Sequence, residues 1–197
     1  MREFKCAPRF SAFGKGIKQT QPEEVWDIKK AYDYLISDEA KKATGHLRTL
    51  SGDDARRFKA ANFRFCTFSG VFQYRNAKSL TSHSGLMTID IDDIDTPDKL
   101  EEIRRQLIAD SRFSTALLFT SPSGNGIKWI PYVGNIAAEA HGEWFDLLRN
   151  YLVFEYGIAI DKSGRDVCRT CFLPYDAGCY INPEFNTTST SIIKGNE

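Results

Sequence analysis

The pattern of apolar residues after residue 84 alternates between the period of a strand and that of a helix. From Leu86 to Asp92, hydrophobic and polar residues alternate, which predicts a strand. Thr96 and Pro97 are typical of a helix start, with Thr as the N-cap and Pro in the first turn. The same criteria predict two more strands, a long helix and a last strand, at 114–120, 127–133, 137–156 and 158–160. The predicted order is therefore strand, helix, strand, strand, helix, strand.

The pattern of apolar residues over the first eighty positions predicts helices and one strand region. Apolar residues recur at helical spacing from Pro22 to Leu35, and residues 63–68 alternate aromatic and polar side chains. We predict an N-terminal α/β module over 1–83, a βαββαβ domain over 84–185, and a polar tail or linker over 186–197. This order is that of an α+β, ferredoxin-like fold, which RNA-recognition (RRM) domains and polymerase palms share. Because one fold serves many functions, the site has to be argued separately.

Composition and charge narrow the classes of function. The 197 residues include 26 basic and 26 acidic side chains, and 42% are hydrophobic. Disorder is therefore excluded, and any phosphate-binding surface has to be local. The N-terminus has no apolar leader, no apolar run approaches the ~20 residues of a membrane helix, and the five cysteines are odd in number. We expect a cytoplasmic protein with no membrane partner.

Two carboxylates of the first predicted strand are candidates for a metal site. Asp90 and Asp92 are two residues apart, so they point to the same face, opposite the isoleucines between them. Two adjacent carboxylates repel each other unless a cation lies between them, and Mg²⁺ or Mn²⁺ prefers such oxygen ligands. The alternative is a solvated, acidic strand end.

Two later segments add candidate anion-binding groups. In the segment from Ser121 to Lys128, glycines let backbone N–H groups approach an anion, and Lys128 supplies a charge. An ordinary Ser/Gly hairpin is an equally good reading. Asp161 ends the predicted last strand, where a ferredoxin-like sheet would bring it beside Asp90. Arg169 could contact a triphosphate or pair with an acid such as Asp166 or Asp176.

The histidines and cysteines give weaker signals. Cys168-x-x-Cys171, with Cys179 and one of Cys66, Cys6 or His83, offers a zinc ligand set, but a single CxxC in an apolar segment favours buried thiols instead. Zinc is not expected. We predict His141 as a surface histidine and place His83 at the margin of the acidic site.

Together these motifs resemble the archaeo-eukaryotic primase (primase-polymerase) superfamily, and in particular the VirE N-terminal-like domain of bacterial mobile elements and phages. The resemblance rests on the hydrophobic-Asp-hydrophobic-Asp strand, the Ser-x-Ser-Gly-x-Gly-x-Lys turn, and Arg-x-x-Phe-Leu-Pro followed by Asn-Pro. It implies metal binding and catalysis by Asp90, Asp92 and Asp161. It also implies nucleotide contacts from Ser121, Ser123, Gly124, Gly126, Lys128 and Arg169, with Asn182 in a related segment. Tyr175 and Asp176 stand where relatives carry Gly, so Asp176 competes as third acid.

The resemblance implies a primase-polymerase-like nucleotidyltransferase that uses Mg²⁺ or Mn²⁺ in the replication of a mobile element or phage. Its partners would be nucleotides (NTP or dNTP), a single-stranded or primed DNA template, and a helicase domain or protein. The alternative is a non-catalytic domain that binds single-stranded nucleic acid and keeps the palm fold. A nicking domain ranks last, because the sequence lacks the His-hydrophobic-His pair which that chemistry needs.

Overall fold

The computed structural model describes residues 7–160 and 162–186. These residues form two four-stranded antiparallel sheets, one separate hairpin and five α-helices. The strands are β1 Phe10–Phe13, β2 Glu24–Trp26, β3 Phe65–Thr67, β4 Gly70–Phe72, β5 Leu80–His83, β6 Ile89–Ile91, β7 Ser114–Thr120, β8 Ile127–Tyr132, β9 Cys171–Phe172 and β10 Tyr180–Ile181. The helices are α1 Ile28–Leu35, α2 Asp38–Leu47, α3 Gly52–Asn62, α4 Pro97–Ile108 and α5 His141–Tyr156. None of the helices in these two ranges is long and apolar enough to cross a membrane.

The first sheet has the strand order β2-β1-β3-β9. The sequence pattern predicted a helix from Pro22, but residues 24–26 form β2, and α1 begins only at Ile28. Asp27 caps the helix by accepting a hydrogen bond from the Lys30 amide at 2.9 Å. The short strand β2 is therefore formed by residues that the helical spacing assigned to the first turn of a helix. The hairpin β4–β5 follows β3 and packs beside β1.

The second sheet has the strand order β10-β7-β8-β6. Its strands β6, β7 and β8, with the helices α4 and α5, confirm five of the six predicted elements. β7 spans the predicted residues, and Thr96 caps α4 through the Lys99 amide. The predicted strand over 158–160 is wrong, because these residues are not paired. Ile158 and Ile160 pack into the core instead, and a short 3-10 turn at Ser163–Arg165 places Gly164 directly against the Thr88 carbonyl, next to β6. The fourth strand is β10, on the opposite edge of the sheet.

Two cores lie on either side of the second sheet. One contains Trp129 and Leu118, which pack against α4 and α5. The other contains Phe119 and Ile130, which pack against the first sheet and α1. β9 pairs with β3, so a strand from beyond residue 83 completes the first sheet. Asp90 and Lys128 lie on the sheet face toward the first sheet, because their strand neighbours Ile89, Ile91, Ile127 and Trp129 fill the helix side.

Candidate functional site

A polar cavity of about 460 Å³ lies between the two sheets, at the end of the second sheet where β6 stops and β8 begins. Its walls come from both halves of the chain. Among the described residues it is lined by four cationic side chains and three carboxylates, together with hydroxyls, one thiol and a few apolar groups. These residues are Ile17, Lys59, Arg75, Asp90, Asp92, Ser121, Pro122, Ser123, Lys128, Ser163, Asp166, Cys168, Arg169, Thr170 and Phe172.

Asp90 is the most buried acid of this cavity, with 8% of its surface exposed. Its register partner across the β6–β8 ladder is Lys128, whose Nζ lies 2.9 Å from Oδ1. Arg169 donates a hydrogen bond to Oδ2 at 2.7 Å. The Lys128 ammonium is close to Oδ1 but not in hydrogen-bond geometry, so Oδ1 is buried without a hydrogen bond. Two side-chain cations therefore neutralise this carboxylate, and one of its oxygens keeps capacity for another ligand.

The charges of the cavity shift the pKa values of its lysines. Burial alone would lower the pKa of Lys128, but Asp90 at 2.9 Å and Asp92 at 3.8 Å raise it above its ordinary value. Lys59 has the opposite shift, because burial and the nearby Lys128 lower its pKa. Lys128 therefore remains protonated, while Lys59 lies close to another positive charge. An incoming anion would reduce the repulsion between the two ammonium groups.

Asp92 lies at the edge of the cavity beside the turn between β7 and β8. Its side chain is 56% exposed. A Cβ placed on Gly126 would lie 2.7 Å from the Ile91 carbonyl and 3.1 Å from Asp92 Oδ1, so this position requires glycine. The turn and the acidic strand end are thereby held in contact, and both predicted acids face one cavity.

The turn itself is held together by short polar contacts. Ser121 and Ser123 hydroxyls are 3.1 Å apart, and Ser123 donates to the Asn125 side chain at 2.5 Å. The Ser121 amide donates to the Gly126 carbonyl at 2.7 Å. Gly124 has a φ of +91°, a conformation that favours glycine, and the Arg48 guanidinium lies over it. Sequence reasoning did not anticipate Arg48, whose Nε donates to the Pro122 carbonyl at 3.3 Å.

A histidine pair, His141 buried and His83 half-buried, contacts the segment that carries Arg169. His83 Nε2 and His141 Nδ1 are 3.0 Å apart, and His141 Nε2 lies 3.3 Å from the Gly164 carbonyl. His83 Nδ1 accepts from the Gly85 amide at 3.0 Å, so in both neutral rings Nε2 carries the proton. Burial and the neighbouring His141 lower the pKa of His83 to about 4, and burial lowers the pKa of His141. The prediction that His141 lies on the surface is wrong: it is 3% exposed.

Other predicted site residues lie outside the cavity. Asp161 is outside the described residues. Asp176 accepts hydrogen bonds from the Thr120 amide at 2.7 Å and from Arg104 at 3.3 Å, and does not line the cavity. Asn182 donates to Ser114 at the far end of β7, which the strand rise places ~20 Å from Thr120. His83 does not line the cavity and contacts His141 instead.

The structure adds cavity residues that sequence reasoning did not select for the site. From the sequence, Lys59 and Arg75 belong with Arg56, Arg57, Arg64 and Lys78 to a set of basic residues that solvated surface charge explains, with a basic, template-binding face as the alternative. Asp166 is considered only as a partner for Arg169. Arg75 donates to the Ile17 carbonyl at 2.7 Å and to Thr170 at 2.9 Å. Arg64, from the same basic face, lies 3.2 Å from Glu23 instead. No local motif marks these residues, because they converge only when the first sheet packs on the second.

The cysteines occupy different environments. Cys66 and Cys171 are register partners on β3 and β9 and are both buried. Burial, with Asp90 nearby, raises the pKa of Cys171 to about 12. Cys168 lines the cavity beside Asp166, and burial raises its pKa to about 11. Cys6 lies outside the described residues.

The donor set of the cavity fits a hard divalent cation in part. Asp90 and Asp92 supply carboxylate oxygens, and the buried Asp90 Oδ1 makes no hydrogen bond. Within 7–160 and 162–186, no three His, Cys, Asp or Glu side chains cluster closely enough to hold an ion.

Comparison with known families identifies the chain. The model of the BT4734-like, N-terminal domain matches residues 58–181, which include every cavity residue except Ile17. No curated protein matches the chain, and no solved structure does. Because the family match covers more than half of the 197 residues, the chain belongs to the BT4734-like N-terminal domain family.

Proposed function

We propose that this domain is a divalent-metal-dependent nucleotidyltransferase of the primase-polymerase type, which adds nucleotides to a nucleic-acid strand in the replication of a mobile element or phage. One observation carries the proposal: Asp90 lines a polar cavity, and its carboxylate is held by the side-chain cations Lys128 and Arg169. Such cations can leave a carboxylate for a phosphate without disturbing the backbone.

The residues around Asp90 suit a triphosphate. Lys128 offers a point charge and Arg169 a planar fork, and both groups bind phosphate oxygens. The Ser121 and Ser123 hydroxyls line the same space, whereas Gly124 and Gly126, which the resemblance also implied as nucleotide contacts, do not line it. Positioning and charge stabilisation supply most of the catalysis of phosphoryl and nucleotidyl transfer, and these groups provide both.

Asp90 and Asp92 would hold the metal ions, with Asp161 as the proposed third ligand. When bound, such ions lower the pKa of the attacking 3′-hydroxyl and neutralise the leaving pyrophosphate. The chain's own part is to hold Asp90 on β6 and Asp92 directly after it toward one cavity, with Lys128 opposite Asp90. When a phosphate binds Lys128 and Arg169, the Asp90 oxygens lose their present partners and become available as ligands.

The finer fold assignment belongs to the same proposal. The order β6-α4-β7-β8-α5, with β8 between β6 and β7, is that of the first five elements of a ferredoxin-like palm. β10 on the far edge of β7 departs from that pattern. The acids of β6 remain accessible from the face that the first sheet covers, which supports a palm-type site between the two layers.

The test is metal-dependent incorporation of labelled nucleotides on a primed template with Mg²⁺ or Mn²⁺. Asp90→Asn and Asp92→Asn keep the side-chain shape and remove one charge each, so we expect each variant to lose incorporation by at least ~100-fold. Asp95→Asn is the matched control, because Asp95 follows the same strand but does not line the cavity. Variants at 90 and 92 that extend the primer as fast as the control would refute the proposal.

A second candidate is a non-catalytic domain that binds single-stranded nucleic acid. The four cationic side chains of the cavity favour it, because they can bind backbone phosphates without a metal ion. This candidate predicts salt-sensitive oligonucleotide binding that neither EDTA nor Asp90→Asn weakens. A helicase partner remains a prediction of the resemblance.

A further inference from the structure

A second pocket, of about 240 Å³ and lined by no acidic side chain, adjoins the cavity and shares Lys59 and Ser123 with it. Its other walls come from the end of α2, the loop after it, and α3. The lining contains three cations and no acid, and the rest is apolar apart from the serine; the residues are Leu47, Arg48, Leu50, Ala55, Arg56, Lys59 and Ser123. The cavity, in contrast, mixes cations with the carboxylates that would hold metal. The two pockets therefore differ in the chemistry they offer.

Two of the basic side chains in this pocket form no ion pair among the described residues. No ion pair there involves Arg48 or Lys59; Arg48 donates to the Pro122 carbonyl, and Lys59 lies 5.8 Å over the Phe172 ring. Burial and the nearby Lys128 lower the pKa of Lys59, against the opposing effect of Asp92 and Asp90. An anion bound in the pocket would place a further negative charge beside Lys59.

We propose that this α2–α3 pocket binds the sugar-phosphate backbone of a single-stranded nucleic acid and leads the strand to the acidic cavity. Phosphates would contact Arg48, Arg56 and Lys59, while Leu47, Leu50 and Ala55 offer apolar surface to the sugar or base. The shared residues Lys59 and Ser123 place the pocket next to the nucleotide position. The inference rests on the proposed function, since it assigns the strand on which the cavity acts.

The helix α3 offers a matched pair of residues for the test. Arg56 and Arg57 are both highly exposed, and each bonds to the aspartate three residues earlier, at 3.3 and 2.7 Å. Arg56 lines the pocket with Lys59, three residues on, whereas Arg57 is turned ~100° around the helix and does not line it. Replacing either residue by alanine changes the net charge equally and leaves one unpaired aspartate.

The experiment measures binding of a labelled oligothymidylate to the full chain by fluorescence anisotropy across a salt series. Losing one phosphate contact should lower the slope of log K against log salt by ~0.7, which is about fivefold in affinity between 1 M and 0.1 M salt. We expect this loss for Arg56→Ala and not for Arg57→Ala. Equal losses in both variants, no loss in either, or no oligonucleotide binding by the parent would overturn the proposal.

A second measurement separates the strand from the nucleotide. Binding of a fluorescent nucleoside triphosphate should be the same in Arg56→Ala and the parent; loss of triphosphate binding without loss of oligonucleotide binding would assign the pocket to the nucleotide and refute the strand. Primer extension separates this inference from the proposed function. If the parent extends primers but the Arg56 and Arg57 variants bind the oligonucleotide equally well, only the assignment of the pocket is refuted. If the parent shows the Arg56 effect but does not extend primers, only the proposed enzymatic function is refuted.

Discussion

Two buried carboxylates in this molecule are each bound by an arginine, and they differ in what else holds them. Asp176 accepts from the backbone amides of Thr120 at 2.7 Å and Gly178 at 2.8 Å, in addition to Arg104. Asp90 is held by Lys128 and Arg169, and its Oδ1 makes no hydrogen bond. Backbone amides cannot move away without unfolding a loop, whereas long side chains can change rotamer. The comparison separates a carboxylate that stabilises the fold from one that can exchange partners.

The two arginines that bind these carboxylates also differ in their solvent exposure. The Arg104 side chain is 8% exposed and belongs to α4, whereas the Arg169 side chain is 35% exposed and faces the cavity. Arg104 also donates to the Gly178 carbonyl, which ties the loop after β9 to α4. The Asp176 network therefore connects elements, and the Asp90 network lines a space.

The largest expected difference is in stability. Asp176→Asn should lower the free energy of unfolding by about 3 kcal/mol, because it leaves the buried Arg104 with only the exposed Glu101 carboxylate, 3.5 Å away, as a countercharge. Asp90→Asn should cost only about 1 kcal/mol, because Lys128 keeps Asp92 at 3.8 Å and Arg169 faces solvent. Urea denaturation of the two variants checks this. Equal losses would mean that Asp90 is as structural as Asp176.

A smaller effect is expected from pH, through the segment that carries Arg169. The pKa of His83 is lowered to about 4 in the folded chain against about 6.5 when unfolded, so the unfolded state binds more protons below pH 6.5. Stability should therefore be full above pH 6.5 and fall by at most about 1.4 kcal/mol per pH unit as the pH drops toward 4. Burial also lowers the pKa of His141, so this histidine changes the stability in the same direction. Nearby Asp166 opposes this shift in pKa, and Arg165 adds to it.

Hydrogen exchange can locate that loss. After correction for intrinsic rates, amides of residues 163–169 should lose protection between pH 7 and pH 5, whereas those of 176–179 should not. His83→Gln, which does not titrate, should flatten the stability profile in this range. If the profile is unchanged in that variant, the histidine pair does not control the Arg169 segment.

The smallest expected effect is on metal affinity. Arg169 competes with a cation for Asp90, so Arg169→Met should raise the affinity for Mn²⁺ without nucleotide by about fivefold, in the range of coupling of ~1 kcal/mol. Arg165→Met is the control, because Arg165 lies in the same segment and bonds to Asp146 at 3.0 Å, outside the cavity. Electron paramagnetic resonance of free Mn²⁺ measures both. Unchanged affinity in both variants would separate Arg169 from the proposed metal position.

Much of the second sheet could be predicted because its signals are local. The alternation through Ile89, Asp90 and Ile91, and the Thr96-Pro97 helix start, need only the period of the backbone and the chemistry of a cap. The two-residue strands β9 and β10 carry no period, since two residues cannot show one. Residues 158–160 have the composition of a strand, but the turn at Gly164 packs against the Thr88 backbone, and β10 pairs with β7 at the other edge.

The sequence by itself determined that Asp90 and Asp92 share a face and that a glycine turn comes before Lys128, because side-chain direction along a strand and glycine's backbone freedom are local properties. Only the tertiary structure decided that Asp176 belongs to an α4 network, that His141 is buried against His83, and that Lys59 and Arg75 join the cavity. The Arg104–Asp176 and His83–His141 contacts join residues 72 and 58 positions apart, and the cavity forms only when the two sheets pack together. No local pattern encodes which surfaces meet when a core forms.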